Sequence, residues 1–277
     1  MPQATAADGT SLYYESQGSG PPIVFVHELA GTCHSFDLQV AALKDRYRCI
    51  TFNARGYPPS DVPASAESYS QDIAAADIGA VLDAAGENDA HVMGVSMGSA
   101  AALQFTIAHP GRVRSAILCS IGSGSDAKPE EYVANMEAMA ARVEKNGMDQ
   151  IRQNFTASPA RQKLKEKSPT EYQKFLADLE RFSVQGLANT MRGVQKRRPP
   201  LYAHKEKISA LRVPALVVLG GIDEGCNKPS HFLAETLPGA RLEILPNTGH
   251  GVNIEEPDRV NRMVAEFVGA VEARRKA

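Results

Sequence analysis

The chain has 277 residues, 43% of them hydrophobic, which suffices for one large domain or for a core carrying an inserted lid. Thirty Lys and Arg against 32 Asp and Glu leave a net charge of −2, so no electrostatic footprint points to nucleic acid or to an anionic membrane. The four cysteines, Cys33, Cys49, Cys119 and Cys226, form no CxxC or zinc-like spacing and read as buried free thiols of a reducing compartment.

From the N-terminus, "MPQATAADGTSLYYESQGSG" has neither a basic n-region nor an apolar h-region, so no secretory leader is expected. No apolar stretch approaches the roughly 20 residues that span a bilayer, and the expectation is a soluble, cytoplasmic protein. Short apolar runs then alternate with segments of helical period, the pattern of a parallel sheet covered by helices. The predicted strands are 21–27, 47–52, 90–95, 114–120, 214–221 and 240–246, and helices are expected near 35–45, 69–85, 97–108, 228–236 and 257–273. In 69–85 the spacing puts Ile73, Ala76, Ala80, Val81 and Ala84 on one face. Between "AILCS" and "VPALVVLGG" about 90 residues lack a buried strand and read as charged amphipathic helices. An ordinary crossover needs far fewer. The reading is a sheet domain of 1–124 and 209–277 with a helical cap over 125–208. The cap's charge runs, "RQKLKEK" and "QKRR", read as solvated helix faces.

The most specific chemical signal is "HVMGVSMGSAAALQF". Gly94-Val95-Ser96-Met97-Gly98 is a G-x-S-x-G pentapeptide between a strand and a helix-forming run. A sharp strand-to-helix turn exposes the serine hydroxyl, and glycines keep side chains out of the crowded turn. The helix N-terminus offers N–H groups to a developing oxyanion. Ser99 reads as a small residue of the first helical turn.

A serine needs a base, and histidine suits neutral pH. Of the seven histidines, His250, in a glycine-flanked loop between a strand and the last helix, is the candidate. His27, ending a buried strand, reads as structural, and His34, His91, His109, His204 and His231 read as surface residues. The carboxylate that fixes the tautomer of the base is assigned to Asp223, just beyond a buried strand, with Glu224 and Asp126 as competitors.

Together "VFVHELAG", "FNARGYPPSD", "GVSMG", "LGGIDE" and "TGHGVNIEEPDRVN" resemble, in order and spacing, an α/β-hydrolase across nearly the whole chain. The resemblance implies the α/β-hydrolase fold, a mostly parallel central sheet flanked by helices with an inserted helical cap. It also implies a Ser96–His250–Asp223 triad and an oxyanion hole made by the Met97 N–H and the Leu29 N–H. Ser96 stands where dehalogenases and epoxide hydrolases of this fold carry aspartate, and the chain has no tryptophan to bind a halide. Neither a cofactor nor a metal is expected. The chemistry implied is hydrolysis of a small-molecule carboxylic ester or lactone through an acyl-enzyme, by a monomer or homodimer with no nucleic-acid or membrane partner. The alternatives are a carbon–carbon bond hydrolase or enol-lactonase of aromatic catabolism, and a binding protein that keeps the triad but signals through its cap.

One residue departs from the pattern. Glu28 stands where such loops usually carry glycine, and an ion pair with Arg55 is the expected explanation. The alternative has Glu28 facing the pocket, where it would disfavour anionic acyl groups. Phe36, Tyr57, Phe155, Phe182 and Tyr202 are candidate pocket aromatics that ordinary packing would explain equally.

Overall fold

The computed structural model describes residues 2–276, apart from the side chains of Phe155, Pro159 and Ala160, so the expectation for Phe155 lies outside what is described. Eight strands form one sheet: β1 (Gln3–Thr5), β2 (Ser11–Gln17), β3 (Pro22–Val26), β4 (Arg48–Phe52), β5 (Ala90–Val95), β6 (Val113–Cys119), β7 (Ala215–Gly220) and β8 (Arg241–Leu245). Their order is β1-β2-β4-β3-β5-β6-β7-β8, with β1 and β2 antiparallel and the rest parallel. The six apolar runs expected as strands are β3 to β8. The two N-terminal strands carry no such signal: β1 is only three residues long, and β2, "SLYYESQ", is mostly half-exposed and is held by backbone ladders to β1 and β4.

Alternate residues of each strand serve opposite faces, as a period of two requires. Val24, Ile50, Val92, Leu118 and Val217 pack with α2 (Gln71–Ala84) and α3 (Met97–Ala108), reached after α1 (Asp37–Leu43). Ile23, Phe25, Met93, Ile117 and Val218 pack on the other side with Val40 and Leu43 of α1 and with the C-terminal helix. The inward face of α2 is formed by Ala75, Ile78, Val81 and Leu82, whereas Ala76 and Ala84 are exposed. The expected face was therefore displaced. In an alanine-rich helix small residues weigh little, and the large Ile78 and Leu82 decide which side turns inward.

Between β6 and β7 the chain is helical: α4 (Pro129–Asn146), α5 (Met148–Ala157), α6 (Pro159–Lys167), α7 (Pro169–Asp178), α8 (Val184–Thr190) and α9 (Lys205–Ala210). Ala140, Val143, Leu179, Leu187 and Met191 from this segment share a core with Tyr57, Tyr69, Met97 and Ile254, so the helices seat over the loops at one sheet edge. After β7 come α10 (Glu224–Thr236), α11 (Val252–Glu255) and α12 (Pro257–Lys276). Among the described residues no helix is long and apolar enough to cross a membrane.

β3 and β5 are neighbours, and the chain runs on from β3 to β4 on one side and from β5 to β6 on the other. Such a reversal opens a crevice beyond the C-terminal ends of the strands, and the loops after β3 and β5 border it.

Candidate active site

Ser96 is the single residue between β5 and α3, with φ 55° and ψ −113°, a conformation that an L-residue adopts only under constraint. Its N–H donates to the Cys119 carbonyl at 2.9 Å, tying the turn to the end of β6. Gly98 makes the turn possible. A Cβ there would run into the Val26 and His27 carbonyls, so α3 starts in contact with the end of β3. Behind the turn the buried Ser99 hydroxyl reaches the carbonyls of Gly94 (2.7 Å) and Cys119 (2.8 Å), a tie that goes beyond the filling role expected of it.

The loop after β3 is fixed from its carbonyls. The Glu28 C=O accepts from His27 Nδ1–H at 2.7 Å and from the Gly31 N–H at 3.0 Å. That carbonyl shares its peptide plane with the Leu29 N–H, so anchoring one orients the other. The Leu29 C=O in turn accepts from Tyr57 Oη at 2.6 Å. His27 is structural, as expected. Its Nε2 accepts from the Ala54 N–H at 3.0 Å, and burial lowers its pKa, keeping it neutral.

Asp223 and His250 are brought together after β7 and β8. His250 Nδ1 lies 2.7 Å from Asp223 Oδ2, and both side chains are almost buried. Asp223 occupies the N-cap of α10 but makes no capping bond; its carboxylate is turned to His250 instead. Forgoing a cap costs about 1 kcal/mol. Burial raises the Asp223 carboxyl, but the hydrogen bonds from His250 and Cys226 and the charge of Arg161 outweigh it, so its pKa lies below the usual range. An imidazole held by an ionised carboxylate on Nδ1 presents Nε2 as a proton acceptor. The competitors are elsewhere: Glu224 is exposed, and the exposed Asp126 bonds Tyr202 Oη.

Three further groups hold the histidine. Glu255 accepts from the N–H groups on both sides of it, Gly249 at 2.6 Å and Gly251 at 3.1 Å. Ser120 Oγ donates to the His250 carbonyl at 2.8 Å. The fully buried Cys226 thiol lies 3.2 Å from the Ser120 carbonyl and 3.9 Å from His250 Nδ1. All four cysteines are free and buried, as expected.

The Glu28–Arg55 pair does not form. Arg55 instead grips Asp77 through two bonds of 2.7 Å and also pairs with Asp8, because Asp77 faces it from α2. Glu28 is 3% exposed; its Oε1 accepts from Ser35 Oγ at 3.4 Å, and Oε2 has no hydrogen-bond partner among the described residues. Gly31 leaves its space, since a Cβ there would stand 2.5 Å from the Glu28 carboxyl carbon. The charge that faces Glu28, Asp223 and Glu255 is Arg161 of α6. "RQKLKEK" is thus no solvated face: Leu164 is buried, and Lys167 bonds Thr248 Oγ1 at 3.1 Å and pairs with Glu256. "QKRR" stays largely solvated, as expected, with Lys196 on Glu137 and Arg198 on Tyr132 as half-exposed pairs and Arg197 exposed. His91 is no surface residue. It is wholly buried between Ser115 Oγ (2.7 Å) and Glu272 Oε1 (3.1 Å). Of the aromatics, Phe36 is core, Tyr202 stacks on Phe232, and Tyr57 and Phe182 pack together beside Met97.

A family model described as alpha/beta hydrolase fold matches residues 21–257. Among curated proteins, 3-oxoadipate enol-lactonase 1 of Acinetobacter baylyi is 28% identical over 272 residues, covering 97% of each chain. The 2-hydroxy-6-oxononadienedioate/2-hydroxy-6-oxononatrienedioate hydrolase of Burkholderia vietnamiensis is 28% identical over 273 residues, covering 94% of this chain and 92% of its own. A thermophilic esterase from Thermogutta terrifontis superposes with a TM-score of 0.86 at 23% identity, covering 97% of this chain and 98% of its own, a likeness of fold.

Proposed function

Because the chain belongs to the alpha/beta hydrolase fold family, we propose that it hydrolyses a small-molecule carboxylic ester or lactone through an acyl intermediate on Ser96. The observation that carries this reading is the strained Ser96 backbone, which holds the hydroxyl at the sheet edge where the His250–Asp223 pair also ends. In this mechanism His250 Nε2 takes the Ser96 proton as Oγ attacks the carbonyl, then delivers it to the leaving alcohol. The same nitrogen next activates water, and deacylation regenerates the serine. Asp223 keeps the ring in the tautomer with Nδ1–H and stabilises the imidazolium. The Met97 N–H at the start of α3 and the Leu29 N–H, on its anchored peptide plane, receive the oxyanion. The helical segment 125–208 acts as a cap that covers the pocket and excludes water.

A carbon–carbon bond hydrolase or an enol-lactonase of aromatic catabolism is the second reading, the latter favoured by the similarity to an enol-lactonase over 97% of the chain. Both use the same three residues, and they are separated by substrate. The test is turnover of p-nitrophenyl esters from acetate to octanoate, with an enol-lactone and a dienoic diketone alongside. Ser96→Ala should lower kcat by at least about 10⁴-fold on whichever substrate is accepted while leaving Tm unchanged. Undiminished hydrolysis by that variant would refute the nucleophile assignment.

A further inference from the structure

Asp223, Cys226 and His250 offer a carboxylate oxygen, a thiol sulfur and an imidazole nitrogen that all lie within 4.8 Å of one another. These are the donor types of a zinc site, and three protein ligands with a fourth position open is a recurring arrangement for that ion. The geometry points to a site for a thiophilic divalent cation of the zinc class, whose occupation switches the enzyme off.

The three donors stand on rigid supports. Asp223 and Cys226 are the N-cap and the first turn of α10, three residues apart and therefore on one side of the helix. His250 is held through its backbone by Glu255 and Ser120. Tetrahedral zinc with ordinary bond lengths spaces such donors about 3.3–3.6 Å apart. The Cys226–His250 separation of 3.9 Å is close to that value, and the Asp223–His250 separation of 2.7 Å would need to widen by less than 1 Å, within the reach of a carboxylate rotation. A dication bound to a thiolate and a carboxylate forms a neutral unit, which suits a largely buried place. Glu28 and Glu255 add negative charge nearby, against which Arg161 is the opposing cation.

Binding has a defined cost to catalysis. The cation takes the Nδ1 lone pair, so the ring proton moves from Nδ1 to Nε2 and the imidazole stays neutral. The Cys226 thiol proton leaves to solvent as the sulfur–metal bond forms. With Nε2 protonated the ring can no longer accept a proton from Ser96, and turnover stops. This consequence rests on the proposed role of His250; the binding site itself does not.

Cobalt(II) serves as the probe, because thiolate coordination gives it a near-ultraviolet charge-transfer band whether or not a substrate is known. One equivalent should develop the band, zinc should bleach it, and zinc should inhibit ester hydrolysis over the same concentration range. Cys226→Ser preserves size and polarity but offers no thiolate. It should abolish the band and weaken zinc inhibition at least as much as the hundredfold that losing an outer partner of a metal ligand can cost. Glu15, Cys33 and His34 form the other donor cluster among the described residues, so His34→Ala is the control and should change neither readout. A band that survives in Cys226→Ser, or no band in wild type, overturns the site. A wild-type band with turnover untouched by zinc overturns the switch. If no substrate is turned over at all, the spectroscopic result still decides the site.

Discussion

Glu28 occupies a position in the loop after β3 where the resemblance led to an expectation of glycine, and the backbone around it shows how a glutamate is accommodated. The oxyanion donors proposed here are main-chain groups, so the side chain can differ provided that the peptide planes do not. His27 and Gly31 hold the Glu28 carbonyl, and the carboxyl is accommodated against Gly31 rather than by a counterion on Arg55. Gly31 adopts ordinary φ, so its requirement is space. Gly31→Ala should therefore cost about 1–3 kcal/mol by overpacking, seen as a lower Tm. Part of that cost should vanish in the background of Glu28→Gly, where the crowded carboxyl is gone but the Ser35 hydroxyl, also 2.5 Å from such a Cβ, remains. A thermal-melt double-mutant cycle with additive losses would show that the glycine is needed for something other than the carboxyl. The sequence alone marked Glu28 as unusual but named the wrong partner. Arg55 was the nearest cation along the loops, whereas Asp77 claims it from a helix face that an alanine-rich segment concealed.

At the scale of elements, α11 is only four residues long, yet it carries the carboxylate that closes the loop around His250. Glu255 spans the histidine, one oxygen to the amide before it and the other to the amide after it, so loop and ring are positioned as a unit. Glu255→Gln keeps one acceptor and sets an NH2 group against the second amide. Loss of about 1.4 kcal/mol of positioning corresponds to a tenfold fall in kcat, and KM should hardly move because Glu255 is not assigned to touch substrate. Steady-state kinetics on the best ester would check this; an effect confined to KM would argue that Glu255 contacts the substrate instead. The larger elements were legible because apolar runs of five to seven residues leave no alternative to buried strands. Ser96 and Asp223 were legible as candidates because each lies just past such a run, and His250 because it sits in a glycine-flanked loop after β8. The supports were not: Glu255, Ser120 and Arg161 act through contacts between segments distant in sequence, and a lone acid, serine or arginine in a polar stretch carries no local sign of them. The N-terminal strands β1 and β2 escaped notice for a related reason, since each buries a single apolar side chain, Ala4 and Leu12, and owes its place mainly to backbone pairing.

For the molecule as a whole, the buried histidines couple stability to acidity. His91 stands in the middle of the sheet between Ser115 and Glu272 of α12, and burial pushes its pKa down to about 4 from the ordinary 6.5. Between those two values the unfolded chain binds a proton that the folded chain refuses. Stability therefore rises with pH across this window, is fully present above about 6.5 and is lost progressively as the pH falls toward 4. His27, lowered by burial as well, adds to the same slope. His91→Gln removes one of these titrating groups. The variant should melt lower than wild type at pH 7, because the ring's contacts to Ser115 and Glu272 are disturbed, at a cost of about 1–2 kcal/mol. It should then lose less on acidification, so that the two melting temperatures draw together between pH 7 and pH 5. Parallel curves would mean that His91 accepts its proton inside the fold, with Glu272 as counterion, and that the acid sensitivity of the chain lies elsewhere.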